Sequence, residues 1–395
     1  MSRELIYLLL ICGLLIVPRA LQRFRIPAPL SCFLIGVALV LFRGPQHNDA
    51  IHLLSSLGIS SLFLHAGMEV DIAALRRGAR PLVAYLAIRI AMLVLAGWVA
   101  VALLDLQWQA AALLALALLT SSTGFIVDSL DRFLMRPEDR FWVTNKAISG
   151  ELLALALMFL VLKGGDGMEL AGSSFALIAL AVAVPLLYLA LGRWISPHAP
   201  GSEFSLLVMV GLAAAYVTHA LGVEYLLGAF VAGLVARQLR SRLPALASEH
   251  NLHAVKLFAS FFMPFYFFGH GARVPTGALT WEALFVGLAL TAVVVPLRFG
   301  SIWAQRRWMF RDGFGSSLRV ATSLMPTLIF TLVLATILRE TYHIPDALYG
   351  GLLLYAFLNT LLPSLVLHTA FDVAPPPGAA GAQHPVEAGP AAEKA

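Results

Sequence analysis

Charged residues are scarce in this chain of 395 residues. Asp, Glu, Lys and Arg make up only 12% of it, whereas hydrophobic residues make up 59%. Soluble domains carry roughly 25% charged residues, so this composition excludes an ordinary soluble domain and predicts a polytopic membrane protein. The net charge of +5 does not indicate a nucleic-acid partner, because the basic residues lie in loops between apolar runs, where they orient membrane spans.

Cysteines are rare and the common hydrolase motifs are missing. The only two cysteines, Cys12 and Cys32, both lie in apolar runs, so no disulfide framework is predicted. The chain contains no H-E-x-x-H motif, no G-x-S-x-G motif and no paired aspartates within an apolar run. We therefore expect a protein that is not an enzyme and that has no cofactor.

Thirteen apolar runs each approach the ~20 residues that a helix needs to cross hydrocarbon. Loops after odd-numbered runs are rich in arginine, whereas loops after even-numbered runs hold few basic residues. Positive loops stay in the cytoplasm, so we expect thirteen spans in a bacterial inner (plasma) membrane, with the N-terminus outside and the C-terminus in the cytoplasm. The runs lie at 4–18, 27–43, 51–69, 81–104, 108–130, 141–162, 173–194, 203–221, 223–238, 255–272, 281–304, 315–338 and 346–371.

The runs define the predicted domain organisation. Residues 1–372 form one transmembrane domain that contacts the lipid bilayer. Residues 373–395 are rich in Pro, Gly and Ala and have no apolar periodicity, which predicts a disordered cytoplasmic tail.

Runs 5 and 12 are both interrupted near their middle. Thirteen spans divide into six, one and six, and a shift of seven spans inverts a helix, which predicts inverted six-helix repeats with two interrupted, crossing helices. The interruptions are "LTSSTGFI" (119–126) and "ATSLMPTLI" (321–329), where a Thr-Ser pair precedes Gly124 or Pro326 by three residues. Such clusters either let helices pack closely or bind a cation. The candidate oxygen ligands are Thr120, Ser121, Thr322 and Ser323.

Glu151 is a lone acid in the apolar stretch "TNKAISGELLALALMFLVL" (144–162). It lies ten residues into run 6, which corresponds to a depth of about 15 Å. An acid at that depth costs a few kcal/mol unless it is protonated, paired or hydrated, and burial favours its protonated form. Glu151 either exchanges a proton for Na⁺ or K⁺ or only neutralises a neighbouring base.

Two basic residues lie near this acid in the pattern of spans. Arg298 in run 11 could reach the Glu151 region as its charge partner or snorkel to the cytoplasmic surface. Lys146 is five residues from Glu151, on a different helix face, and we expect it to snorkel to the cytoplasm. His270 between two glycines is a candidate pH-sensitive group, and Asp128 near the cytoplasmic surface is a candidate entry group for cations. The histidines show no shared spacing for a transition metal.

Four motifs follow one another in a recognisable order: "LGISSLFLHAGMEVDIAALRR", "LLTSSTGFIVDSL", "LGAFVAGLVA" and "FFMPFYFFGHGARV". In this order the chain resembles the monovalent cation:proton antiporter superfamily, in particular its bacterial sodium/proton exchangers and potassium-efflux antiporters, over nearly all of residues 1–371. The resemblance implies a homodimer in which a core bundle with two crossed broken helices moves against a dimerisation panel. It implies proton exchange for Na⁺ or K⁺ by alternating access.

The chain departs from this family at one pair of residues. The family carries Asp-Asp, Asn-Asp or Gln-Asp where this chain has Gly150-Glu151. By analogy with the family, a lone acid opposite an arginine implies one-for-one, electroneutral exchange. The departure leaves a second interpretation open, in which a diverged member acts as an ion sensor or channel-like protein without exchange.

Overall fold

The computed structural model describes residues 3–24, 26–43, 49–130, 135–165, 167–195, 198–199, 201–246, 248–309 and 313–367. Within these ranges every regular element is helical, which agrees with the predicted all-α class. The predicted tail lies outside the described residues. The α-helices are, in chain order, α1 (Arg3–Leu21), α2 (Ala28–Arg43), α3 (Asp49–Met68), α4 (Ile72–Arg77), α5 (Ala79–Leu104), α6 (Trp108–Leu119), α7 (Thr123–Leu130), α8 (Pro137–Lys163), α9 (Gly167–Trp194), α10 (Glu203–Ala220), α11 (Tyr225–Gln238), α12 (Glu249–Gly271), α13 (Trp281–Met309), α14 (Phe314–Ser323), α15 (Leu328–Tyr342) and α16 (Asp346–Val366).

Each predicted span corresponds to a helix or to a pair of helices, and the short helix α4 lies between two spans. Every predicted run coincides with one helix, or with the pairs α6–α7 and α14–α15. Nine spans within the described residues are long and apolar enough to cross a membrane, and two bent helix pairs raise the number to eleven. Those pairs are α1–α2, bent by 117°, and α14–α15, bent by 43°. Because α11 has only 14 residues, the total of thirteen spans stays a prediction.

The helices pack into two bundles. We call α1, α2, α3, α10, α11 and α12 the first bundle, and α5, α6, α7, α8, α13, α14, α15 and α16 the second bundle. Most helix contacts lie within one bundle or the other, α9 contacts helices of both, and the main contact between the bundles joins α3 to α7. Each bundle takes three of the predicted spans from each half of the chain. An inverted repeat would give this distribution, and the repeat itself stays a prediction.

Close backbone contacts hold the first bundle together. A Cβ at Gly67 on α3 or at Gly233 on α11 would overlap backbone atoms of the facing helix. The same is true of Gly36 on α2 and Gly271 on α12. Small residues let membrane helices approach closely, because lipid supplies no hydrophobic driving force between them.

The sequence fixes the start of α8, the helix that carries Glu151. Pro137 occupies its first turn together with two acidic residues, and both features favour a helix N-terminus. Asp139 is fully buried and accepts hydrogen bonds from Arg306 on α13 (2.6 Å) and from Ser316 on α14 (3.0 Å). These contacts anchor the start of α8 to the end of α13 and the start of α14.

Candidate functional site

The two interrupted spans meet at their interruptions. Residues 120–122 separate α6 from α7, and residues 324–327 separate α14 from α15. The backbone amide of Ser122 donates to the carbonyl of Pro326 (2.9 Å), and the amide of Ile329 donates to Ser122 Oγ (3.1 Å). Each break therefore supplies hydrogen-bond acceptors for backbone amides at the other break. Non-helical backbone inside a membrane needs such partners.

Arg298 lies in the protein interior, only 3% exposed, rather than at the cytoplasmic surface. Its Nη1 donates to the carbonyl of Met325 (2.9 Å) and its Nη2 to the carbonyl of Leu324 (2.9 Å). Nη2 also donates to Ser121 Oγ (3.0 Å), which itself donates to Leu324 O (2.7 Å). Arg298 thus binds the C-terminal end of α14, where a cation is favoured by the helix dipole. Among the described contacts, none pairs it with Glu151.

Arg89 on α5 is a second buried arginine, which the sequence prediction did not single out. It is 7% exposed, and its guanidinium donates to Tyr85 Oη (2.8 Å) and to the carbonyl of Leu119, the last residue of α6. Arg89 and Arg298 line one narrow cavity between α5 and α13, together with Ser121. A lone arginine ten residues into an apolar helix could have been found by the depth criterion that identified Glu151.

Glu151 lies inside the second bundle, 2% exposed, and does not face lipid. Its carboxylate faces the hydroxyl and the backbone amide of Thr123, the first residue of α7. The N-terminus of a helix favours an anion, because free amides and the helix dipole both point to it. The Oε2 atom has no hydrogen-bond partner, and no ion pair of this carboxylate is found among the described residues. The acid is therefore buried without a neutralising base.

Two threonine hydroxyls, one in the first break and one at the start of α7, also lack partners. Thr120 and Thr123 are fully buried, and the Oγ1 atom of each makes no hydrogen bond. Buried polar groups are normally hydrogen-bonded, so the Thr123 hydroxyl, which faces the Glu151 carboxylate, and the unpartnered Thr120 hydroxyl are candidate ligands for a cation. Thr120 was among the predicted ligands, whereas Thr123 was missed although it lies in the same "TSST" cluster.

The other predicted ligands have different surroundings. The Ser121 hydroxyl accepts a hydrogen bond from Arg298 and donates one to the carbonyl of Leu324. It therefore stabilises the crossing of the two broken helices. Thr322 and Ser323 are buried at the end of α14, and Ser323 Oγ contacts the sulfur of Met135 at 3.8 Å. No contact given for the described residues joins either side chain to Glu151.

Gly124 and Pro326 mark the interruptions in different ways. Pro326 lies inside the second break, whereas Gly124 follows the first break by two residues and lies in α7. A Cβ at Gly124 would approach a methyl group of Leu62 on α3 to 3.0 Å. Gly124 therefore permits the close contact between the two bundles.

Lys146 does not snorkel to the cytoplasm, so that prediction was wrong. It is fully buried, and its Nζ donates to Gln305 Oε1 (2.7 Å) and lies 5.3 Å from the ring centre of Tyr85. The bulk of α13 and α5 covers this face of α8, which spacing along a single helix does not reveal.

Two polar residues of α16 were not predicted to take part. Tyr355 Oη accepts from Arg298 (3.1 Å) and donates to the carbonyl of Leu118 near the end of α6. Asn359 donates to Tyr355 Oη (3.1 Å). Both lie in an apolar run whose sequence carries no break, and only the tertiary structure brings them to the crossing.

Of the two groups proposed for pH sensing or cation entry, His270 lies apart from the site. His270, on α12, borders a polar pocket with Arg339 and Glu340 between the two bundles. Its Nδ1 lies 3.0 Å from the carbonyl of Tyr266. The side chain of Asp128 lies outside the described part of the chain.

Comparisons with known proteins agree over most of the chain. The model of the family "Sodium/hydrogen exchanger, transmembrane" matches residues 6–372. The Na(+)/H(+) antiporter of Enterococcus hirae is 22% identical over 88% of this chain and 92% of its own length. The Na(+)/H(+)-K(+) antiporter GerN of Bacillus cereus is 22% identical over 68% of this chain and 70% of its own.

A solved structure shares the fold. The sodium proton antiporter MjNhaP1 from Methanocaldococcus jannaschii superimposes with a TM-score of 0.62 over 91% of this chain and 96% of its own, at 16% sequence identity. Because the family model covers nearly the whole chain, the resemblance stated from the motifs is confirmed. This chain belongs to the transmembrane sodium/hydrogen exchanger family, a family of multi-pass membrane transporters.

Proposed function

We propose that this protein exchanges protons for Na⁺ or K⁺ across the membrane by alternating access, with Glu151 as the site that the two substrates share. One observation carries the proposal. Glu151 is buried against the first residue of α7 and has no ion-pair partner in the described structure, and its Oε2 atom is unpartnered. A lone buried carboxylate needs a positive counter-charge or a proton, which is the condition for exchanging one for the other.

The proposed cation ligands are Glu151, Thr123 and Thr120. The carboxylate supplies the charge, and the two threonine hydroxyls supply neutral oxygens that other residues do not use. Oxygen ligands suit hard cations such as Na⁺ and K⁺. The two cations are proposed together because the named relatives include both a Na(+)/H(+) antiporter and a Na(+)/H(+)-K(+) antiporter.

A single acid also sets the proposed stoichiometry. One carboxylate carries either one proton or one monovalent cation, so each cycle exchanges one charge for one charge. The exchange is therefore electroneutral, and its rate should not respond to a membrane potential imposed with valinomycin and K⁺ when Na⁺ is the transported cation.

The test is proton flux in proteoliposomes that contain an internal pH indicator. Addition of Na⁺ or K⁺ should produce proton movement with the wild-type protein and none with Glu151→Gln, which keeps the size of the side chain but cannot ionise. Glu249→Gln is the matched control, because Glu249 is an exposed surface residue paired with Arg240. Flux that survives in Glu151→Gln would remove Glu151 from the mechanism. No flux with the wild type would favour the ion-sensor or channel-like alternative.

The cellular setting is part of the same proposal. The protein is a homodimer in a bacterial inner (plasma) membrane, with its N-terminus outside and its C-terminus in the cytoplasm. The arginine-rich loops after odd-numbered spans support this orientation, and the resemblance to the superfamily supports the dimer.

A further inference from the structure

Arg89 is a buried charge that the proposed exchange does not yet use. It lies on α5, a helix whose apolar stretch is only 17% buried inside the protein, yet its own side chain is turned inwards and is 7% exposed. Two of its donors are satisfied by Tyr85 and by the α6 carbonyl of Leu119, and its Nε has no partner. An arginine at this depth is costly, so a purely apolar residue would serve packing better.

The space that Arg89 occupies exists because residue 150 is a glycine. A Cβ at Gly150 would lie 3.3 Å from Arg89 Cζ, 3.4 Å from Nη1 and 3.5 Å from Nε. The guanidinium therefore lies flat against the α8 backbone, one residue before Glu151. At Gly150, the space that a side chain would fill thus holds the positive charge of a neighbouring helix.

Arg89 and Arg298 have corresponding positions. They lie on α5 and α13, which are predicted spans 4 and 11 and are related by the shift of seven. Each binds the C-terminal carbonyl end of the half-helix that follows it, Leu119 of α6 or Leu324 of α14. Helix C-termini carry partial negative charge, so both arginines are stabilised without a carboxylate.

The two buried acids of α8 differ in their partners, because no ion pair of Glu151 is found among the described residues. Asp139, the other buried acid of α8, is paired with Arg306 at the cytoplasmic end of the helix. Tyr85 on its own helix accepts from Arg89, Arg298 on α13 shares its cavity, and Tyr355 on α16 lies within range of its charge. On α8, Lys146 lies over the Tyr85 ring, and Glu151 follows Gly150.

We propose that Arg89 is a positioning residue that sets the cation affinity of the exchange site, because its guanidinium fills the space left by Gly150 and fixes a positive charge against α8, one residue before Glu151. This inference rests on the proposed exchange function. A charge held there, in a medium with an effective dielectric constant of about 20, lowers the affinity of the carboxylate for a cation on the order of tenfold. The positive charge of Arg89 weakens the binding of Na⁺, K⁺ and H⁺ alike, so that each of them can be released from the site.

The test compares Arg89→Gln with Arg89→Lys in the proteoliposome assay. Loss of the charge in Arg89→Gln should lower the apparent KM for Na⁺ or K⁺ about threefold to tenfold and extend inhibition by protons to higher pH, since both cations then bind more tightly. Arg89→Lys keeps the charge, so its KM and pH profile should stay near those of the wild type even if its maximal rate falls. Arg193→Gln, at an exposed arginine of α9, is the control.

A double-mutant cycle tests the link to Gly150. The side chain in Gly150→Val must displace the guanidinium, so this variant should shift KM in the same direction as Arg89→Gln, and the double variant should show no further shift. Additive shifts would overturn the link. Gly150→Ala provides a milder displacement if Gly150→Val does not fold.

The possible outcomes distinguish a failure of this inference from a failure of the proposed exchange function. If Arg89→Gln and Arg89→Lys both lower the maximal rate and leave KM and the pH profile unchanged, Arg89 is only structural and the inference is wrong, while the exchange function stands. If the wild type does not exchange, both proposals fail.

Discussion

The two bundles are held together by different interactions. In the first bundle, helices touch backbone to backbone at glycines such as Gly67 and Gly233, and its interior is mostly apolar. In the second bundle, hydrogen bonds from Arg89, Arg298 and Tyr355 join the ends of half-helices. A side chain added at a glycine contact would overlap the facing backbone. The hydrogen-bonded crossing instead contains polar groups that can bind an ion in place of their present partners.

This difference assigns separate tasks to the two bundles. A close-packed bundle in which no described Asp, Glu, Lys or Arg side chain is buried is suited to be a fixed support. The second bundle contains the lone acid Glu151 and the unpartnered Thr120 and Thr123 hydroxyls, so it is the bundle that binds the substrates in our proposal. Where Gly124 faces Leu62, the contact between the two bundles is apolar, which suits a surface that moves in our proposal.

The largest effect is expected from an added side chain in the first bundle. Gly233→Val would place atoms against the backbone of α3 at Leu64 and Met68, where no flexible side chain can move aside. We expect a loss of at least about 3 kcal/mol of stability, seen as a lower Tm in detergent and loss of the monodisperse fraction.

Gly172→Val is the matched control for this change. Gly172 lies on α9 with no atom within 4 Å of an added Cβ, so its Tm should stay close to that of the wild type. Equal Tm values for the two variants would show that the first bundle does not depend on close glycine contacts.

The next effect concerns the crossing in the second bundle. Arg298→Gln should leave the carbonyls of Leu324 and Met325 without their charged donor and cost about 2–4 kcal/mol, together with loss of exchange. Arg240→Gln is the control, because Arg240 forms an exposed ion pair with Glu249, and such pairs contribute about 0–1 kcal/mol. A similar, small loss of Tm in both variants would show that the buried arginine does not hold the crossing.

The sequence was sufficient to predict what depends on hydrophobic periodicity. Each apolar run became a helix or a broken pair, and both breaks appeared where Thr-Ser clusters precede Gly124 or Pro326. Glu151 was singled out because a lone acid deep in an apolar helix is costly, and its role as the exchange site stays a prediction. The same reasoning applied to Arg89 would have singled it out, since it lies eight residues into the predicted run 81–104.

What the sequence could not give is the identity of the partners across helices. Ser121 and Thr123 belong to one cluster and look equivalent as ligands, yet one bonds Arg298 and the other faces Glu151. Lys146 was misplaced because one helix shows which face a residue is on and not which helix covers that face. Tyr355 and Asn359 reach the crossing only through tertiary packing.

The smallest predicted effect separates ligand from scaffold within the second bundle. Thr123→Val removes a hydroxyl that faces Glu151 and bonds nothing else, so it should raise the apparent KM for Na⁺ or K⁺ about threefold to tenfold, the equivalent of roughly 1 kcal/mol, and leave Tm unchanged. Thr123→Ser, which keeps the hydroxyl, should restore the wild-type KM.

Ser121→Ala should show the opposite pattern in the same two measurements. Its hydroxyl accepts from Arg298 and donates to Leu324 O, so removing it should lower Tm, while the KM stays within about twofold of the wild type because the cation ligands remain in place. If Ser121→Ala instead raised KM while Thr123→Val lowered only Tm, the two residues would have to exchange roles. The cation would then lie on the α14 side of the crossing, away from the N-terminus of α7.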